Sequence, residues 1–133
     1  TVNRDEETLV RVHEPTTVLD VLLEGEGTHS WGVADALRVI AAAPSGVLIL
    51  MNCQGSGEHV FSHFESWKTV TPPSPGNDRE SRYGLRTYGI GAQIMRDLGV
   101  GKAKLLARPR KMPSMTGFAL TITGYISEPP QTP

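Results

Sequence analysis

The chain has 133 residues, of which 38% are hydrophobic and 20% are charged, and its formal net charge is −1. These values are typical of a single globular domain with one hydrophobic core. They exclude the strongly basic surface by which proteins bind nucleic acids. No apolar run approaches the roughly 20 residues of a membrane-spanning helix, and residues 1–8 lack the apolar stretch of a signal peptide. We therefore expect a cytoplasmic protein that binds neither nucleic acid nor membrane.

The first predicted elements follow a polar segment. We expect residues 1–8 to be a linker or a disordered N-terminus, as in a fragment of a longer polypeptide. Residues Leu9–His13 alternate in the manner of a β-strand, so we predict a strand there. Thr16 or Thr17 is expected to cap a short helix that ends at Gly25.

A longer helix and a strand come next. Ser30 is the predicted N-cap of a helix that runs to about Ala43. Its apolar residues share one face because they lie three to four positions apart; they are Val33, Ala36, Leu37 and Ile40. Residues 44–46 end this helix, and residues 47–51 are a predicted strand. A helix followed by a buried strand is typical of an α/β fold.

The second half of the chain is less regular. We expect a helix at His59–Trp67 and an exposed loop at Thr71–Ser81, which is rich in proline and charge. From Tyr88 the apolar spacing predicts a helix that stops at Gly99. The remaining predictions are a strand, a turn region, a strand and a Pro-rich tail, at 104–107, 109–116, 119–123 and 127–133.

Several residue types associated with chemistry have a simpler interpretation. Cys53 is the single cysteine and follows a predicted buried strand, so we interpret it as a small core residue rather than a nucleophile. His59 and His63 would share a helix face but lack the glutamate of a His-Glu-x-x-His zinc motif. Residues 54–57 are interpreted as a turn rather than a phosphate-binding loop. The tryptophans are expected to anchor a core or an interface; they are Trp31 and Trp67.

Three stretches of the chain together resemble GTP cyclohydrolase II. They are Leu9–Glu14, Arg86–Val100 and Lys104–Lys111, the last followed by Gly117–Leu120. The second stretch, Arg-Thr-Tyr-Gly-Ile-Gly-Ala-Gln-Ile-Met-Arg-Asp-Leu-Gly-Val, is long and specific, and the others agree with it in order and spacing. With the intervening helix and strand, the resemblance covers about 9–56 and 84–125.

The resemblance implies a fold and a biological setting. It implies one α/β domain at residues 9–126, with a mixed β-sheet flanked by helices, and it implies a homodimer. In that family the domain often follows a 3,4-dihydroxy-2-butanone 4-phosphate synthase domain in one polypeptide of riboflavin biosynthesis. We therefore expect the C-terminal domain of such a bifunctional protein, with the synthase domain in the same polypeptide.

The family's reaction opens the imidazole ring of GTP and releases formate and pyrophosphate. Its attacking water is activated by a zinc ion that three cysteine thiolates hold. Here Thr16 lies where the first of these cysteines belongs, and residues 29–32 (His-Ser-Trp-Gly) lie near the Cys-x-Cys-Gly stretch. A chain with one cysteine cannot supply three thiolates. We expect that the zinc site is lost and that the domain holds no metal and no cofactor.

The residues that handle GTP in the family are also altered. Residues 52–56 replace an Arg-x-Glu-Gly-Arg run, so two phosphate-binding arginines are missing. Arg86 matches the arginine proposed as the family's nucleophile, but Gly84 replaces the aspartate beside it, so we expect Arg86 to be inactive. Lys111 matches a lysine that contacts GTP, and Ala107 replaces a threonine that does so.

The resemblance leaves, at most, a residual nucleotide or anion site. Its expected residues are Arg11, His13, Glu14 and Lys111. The alternative is that Arg86 and Lys111 are ordinary surface charges, which are common on proteins.

Three hypotheses of function follow. The first is a catalytically inactive GTP cyclohydrolase II-like domain that supports or regulates a synthase domain, in a parent protein that is a 3,4-dihydroxy-2-butanone 4-phosphate synthase. The second is a sensor that binds a nucleotide or phosphate through Arg86, Arg110 and Lys111. The third is an active cyclohydrolase with an altered metal site or with none.

Overall fold

The computed structural model of the chain describes residues 1–14, 30–51, 58, 61, 79–109 and 115–130, and for residues 79–87 and 116 it describes the backbone alone. The described elements are four strands, two helices and a 3-10 turn. In chain order they are β1 (Glu7–His13), α1 (Val33–Ala42), β2 (Gly46–Leu50), α2 (Arg79–Asp97), β3 (Lys102–Leu106), the 3-10 turn (Thr116–Phe118) and β4 (Thr121–Ile126).

The strands form one sheet in the order β2-β1-β3-β4, and every pairing in it is parallel. The α/β class is therefore confirmed. Where we expected a mixed sheet, the four strands of the described residues all run in one direction. Their carboxyl ends consequently meet along one edge of the sheet, which is the edge where α/β proteins bind their ligands.

Hydrophobic side chains cover both faces of this sheet. Leu105 and Leu106 are consecutive in β3, so they point to opposite faces, and they belong to different core clusters. The larger cluster contains the buried residues of α2; it consists of Val10, Ile49, Met51, Ala92, Met95, Val100, Ala103, Leu105, Met115 and Leu120. The smaller cluster lies on the α1 side and consists of Trp31, Ala36 and Leu106. Each described helix thus covers one face of the sheet.

Several element boundaries differ from the expected ones. β1 begins at Glu7, so the last two residues of the expected linker are in the strand. Thr8 is fully buried there, and its hydroxyl is satisfied by a hydrogen bond with that of Ser45 at 3.0 Å. The N-cap of α1 is Gly32 rather than Ser30, and no side chain caps this end.

The largest difference concerns α2. This helix begins at Arg79, so the last three residues of the loop expected at 71–81 are helical. Arginine and glutamate favour helices as well as solvent, so their charge alone did not distinguish helix from loop. The predicted stop is correct: Gly99 has φ +83°, and the amide of Val100 donates to the carbonyl of Met95. This is the Schellman motif that glycine permits after a helix.

Other predictions fall on residues that the structure does not describe. These are the helix after Thr16 or Thr17, most of the helix at 59–67, the loop at 71–78, Cys53, residues 54–57, His59, His63 and Trp67. Across the part that is described, none of the helices has the length and apolar character needed to span a membrane.

Candidate functional site

The carboxyl edge of the sheet brings together the ends of all four described strands. His13 pairs in register with Leu50, and Leu106 pairs with Ile126. The register of β1 with β3 places Arg11 next to Leu106. The resemblance placed a residual ligand site at Arg11, His13 and Glu14, and these three residues lie at this edge.

Arg11 is the centre of a buried polar cluster. Only 6% of its surface is exposed. One guanidinium nitrogen, Nη1, donates to the carbonyl oxygen of Leu106 at 3.0 Å, and the other, Nη2, donates to that of Trp31 at 3.1 Å. A buried charge needs such partners because it has lost its hydration. Arg11 therefore joins β1 to the end of β3 and to the segment before α1.

His13 is fully buried beside this guanidinium. Its Nδ1 lies 3.3 Å from Nη2 of Arg11. A guanidinium only donates hydrogen bonds, so Nδ1 is the acceptor in this contact. The contact orients the ring of His13 toward Arg11.

Glu14 follows β1 directly and is partly buried. Its Oε1 atom is buried and accepts no hydrogen bond within the part of the chain that the structure describes. A buried carboxylate oxygen without a donor is energetically costly. It is thus a buried acceptor at the carboxyl edge of the sheet.

Trp31 closes the cluster from the α1 side. Its side chain is fully buried against Leu106 and Ala36. The indole Nε1 donates to the carbonyl oxygen of Ile126, the last residue of β4, at 2.8 Å. This long-range bond was not expected from the sequence, which predicted only that Trp31 is an anchor.

The donor set does not fit the zinc that the resemblance implies. Trp31 lies near the position that the resemblance gives to the family's Cys-x-Cys-Gly stretch, and an indole has no lone pair to offer a metal. The whole chain has one thiol, and zinc sites of this kind need three. Within the described ranges, no three side chains of His, Cys, Asp or Glu are grouped so that they could hold a metal ion.

The structure describes only some of the other predicted site residues. The backbones of Gly84 and Arg86 lie in α2, and the structure does not describe the Arg86 side chain. Ala107, which directly follows β3, is partly buried at the carboxyl edge. The remaining predicted positions lie outside the described residues; they are Thr16, His29, residues 52–56, Arg110 and Lys111.

The phenol of Tyr125 has a perturbed pKa, which the sequence did not indicate. Burial raises its pKa above the ordinary value of 10.0, and the negative charge that Tyr88 acquires on ionising raises it further. Tyr125 lies in β4 on the α2 side of the sheet, where it packs against the larger core cluster. It therefore belongs to the opposite face from Arg11 and Trp31.

Comparison with known proteins agrees with the motifs. The family model for GTP cyclohydrolase II matches residues 1–127 of the chain. The 3,4-dihydroxy-2-butanone 4-phosphate synthase of Neisseria meningitidis (strain DSM 15465 / Z2491) is 36% identical over 125 residues, which are 94% of this chain and 32% of that protein. The protein of the same name from Pseudomonas aeruginosa is 34% identical over 122 residues, which are 92% of this chain and 32% of that protein.

A third relative carries a different name. The riboflavin biosynthesis protein RibBA of Bacillus subtilis is 35% identical over 128 residues, which are 90% of this chain and 31% of that protein. The chain thus spans about a third of the length of these curated relatives. No solved structure matches the chain.

The family match extends over nearly the whole chain, and the parallel sheet with a helix on each face agrees with the expected α/β class. The resemblance drawn from the three motifs is therefore confirmed. The chain belongs to the GTP cyclohydrolase II family.

Proposed function

We propose that this chain is a GTP cyclohydrolase II-like domain without cyclohydrolase activity, and that it acts as a structural or regulatory partner of a 3,4-dihydroxy-2-butanone 4-phosphate synthase domain. One observation carries the proposal: the chain has a single cysteine, whereas the family's zinc needs three thiolates. Without a metal-activated water, the ring-opening step loses its nucleophile and several kcal/mol of transition-state stabilisation.

The names of the relatives support the second half of the proposal. The relatives from Neisseria meningitidis and Pseudomonas aeruginosa are named for the synthase reaction. Because the chain covers about a third of each, we infer that it accompanies a synthase domain in the same cytoplasmic polypeptide. We further infer that it contributes to a homodimer, as the resemblance implies.

Loss of the cyclohydrolase reaction is tested with the purified chain and GTP. Elemental analysis is expected to find no stoichiometric zinc, and formate release is expected to stay at the uncatalysed rate when zinc is added. A family member that retains all three cysteines is the positive control. Formate production that rises with added zinc would show an active enzyme with an altered site.

The supporting role is tested on the polypeptide that carries both domains. Synthase kcat, KM and oligomeric state are measured with and without residues 1–133. We expect removal to change the oligomeric state or to lower synthase activity. Identical behaviour of the two forms would end the structural and regulatory hypothesis.

One observation favours a second function, the binding of a ligand. The buried Oε1 of Glu14 accepts no hydrogen bond from the described residues, and a purine base could supply an N–H donor to it. Calorimetry with GTP, pyrophosphate and ribulose 5-phosphate distinguishes a base-specific site from a phosphate site. Glu14→Gln is expected to abolish GTP binding and to spare pyrophosphate. No heat at millimolar ligand would exclude a sensor.

A further inference from the structure

Side-chain hydrogen bonds add to the sheet's own pairing near the carboxyl ends of β1, β3 and β4. Leu106 and Ile126 are the last residues of β3 and β4. Arg11 donates to the carbonyl of Leu106, and the Trp31 indole donates to the carbonyl of Ile126. Backbone carbonyls at buried strand ends need such partners, because an unpaired one is costly.

The two donors are themselves connected. Nη2 of Arg11 donates to the carbonyl of Trp31 at 3.1 Å, so residue 31 is held by its backbone from β1 and by its side chain from β4. Both side chains are at least nine-tenths buried. Trp31 lies directly before Gly32, the N-cap of α1, so the same contacts fix where that helix begins.

We propose that Arg11 and Trp31 form a metal-free clamp, which ties the segment before α1 to the carboxyl edge of the sheet where the family's zinc would otherwise tie it. The proposal rests on the proposed function, since it applies to a domain that holds no zinc. A metal ion joins distant segments through ligand bonds. Here three direct hydrogen bonds join β1, β3, β4 and residue 31.

Packing alone does not account for this arrangement. A phenylalanine would fill much of the same apolar space beside Leu106 and Ala36 but has no N–H group. The indole nitrogen is the atom that reaches β4, at the short distance of 2.8 Å. The clamp therefore depends on the polar atoms of Trp31 and Arg11 as well as on their bulk.

The first test is an exchange measurement on the unmodified protein. The chain has two tryptophans, so its NMR spectrum has two indole N–H signals, and Trp31→Phe assigns them. We expect the Trp31 indole proton to exchange with solvent at least about 100-fold more slowly than free tryptophan, both with and without a strong chelator. Rapid exchange would overturn the clamp. Loss of protection on chelation would assign the tie to a metal.

The second test measures how much each residue of the clamp contributes to stability. We expect Trp31→Phe to lower Tm by about 3–6 °C, the effect of one net hydrogen bond in a domain of this size. Arg11→Lys is expected to lower Tm at least as much. The matched control is Arg38→Lys, which alters an exposed pair with Asp35 and is expected to shift Tm by no more than about 2 °C.

The double variant decides whether the two residues act together. If both hold residue 31, the combined loss of Tm is smaller than the sum of the single losses, because one substitution already releases the segment. Strictly additive losses of Tm would contradict the clamp, because they would show that Arg11 and Trp31 stabilise the domain independently of each other. Zinc content, measured on the same samples, tests the proposed function separately: zinc in a sample with a protected indole would contradict the proposed function but not the hydrogen bonds.

Discussion

At the scale of single residues, two buried polar side chains of this domain, Arg11 and Thr8, are held by specific partners. Arg11 is accommodated by two carbonyl oxygens and a histidine nitrogen, and Thr8 by the hydroxyl of Ser45. Sequence motifs identified Arg11 and His13 as candidates for ligand contact. Their burial and hydrogen bonds indicate a structural role at the edge of the sheet, which the motif does not distinguish from ligand binding.

Tyr125 leads to a prediction about alkaline pH. Burial, and secondarily the charge of Tyr88, raises the pKa of Tyr125 above 10.0. Well below pH 10 the phenol is protonated in both the folded and the unfolded state, so it does not make stability depend on pH. As the pH rises further, the unfolded chain loses this proton first, so the free energy of unfolding falls until the folded phenol also ionises.

Difference titration of phenolate absorbance, wild type minus Tyr125→Phe, measures this pKa directly. Urea unfolding at pH 9 and at pH 11 should show a smaller loss of stability in Tyr125→Phe than in wild type. Tyr88→Phe is the companion variant, and it is expected to lower the pKa of Tyr125 because it removes one of the two causes. An unshifted Tyr125 in the wild type would contradict the assigned burial effect.

At the scale of elements, the sequence predicted a helix boundary correctly where neighbouring residues determine that boundary. The stop of α2 at Gly99 was predictable because only a left-handed residue completes the Schellman bonds to Arg96 and Met95. The start of the same helix was not, because charged residues favour both helices and exposed loops. The strand position of Thr8 also escaped prediction, because its hydroxyl partner Ser45 is distant in sequence.

Gly101, between α2 and β3, gives a prediction at this scale. A Cβ atom at this position would collide with the backbone carbonyl of Arg4, which cannot move as a flexible side chain can. Gly101→Ala is therefore expected to lower the free energy of unfolding by about 1–3 kcal/mol. Chemical denaturation with a constant m value is the measurement.

Gly89 is the matched control for Gly101. It lies within α2, and a Cβ there would meet no atom of the described residues within 4 Å. Gly89→Ala is expected to stabilise the protein by about 0.5–1 kcal/mol, because alanine loses less backbone freedom in a helix. Two alanine substitutions with effects of the same sign would argue against the close approach of Arg4 and Gly101.

At the scale of the whole molecule, the sequence was sufficient to identify the family and the α/β class, but it did not predict the architecture of the site. The stretches that carried the resemblance are contiguous, so they could be recognised one at a time. The bond from Trp31 to Ile126 joins residues 95 positions apart, and no local pattern encodes such a partner. The parallel direction of β4 is likewise set by pairing with β3 and not by its own residues.

The position of β1 has a consequence for how the protein is made. Of the four described strands, β1 is translated before the other three, yet it lies in the interior of the sheet, between β2 and β3. Its pairing with β3 joins Glu7 to Lys102, a contact between distant parts of the chain, and such contacts form slowly. During synthesis the edge of β1 that pairs with β3 therefore stays unpaired until Lys102–Leu106 have been translated, and unpaired strand edges are exposed to aggregation and to chaperones.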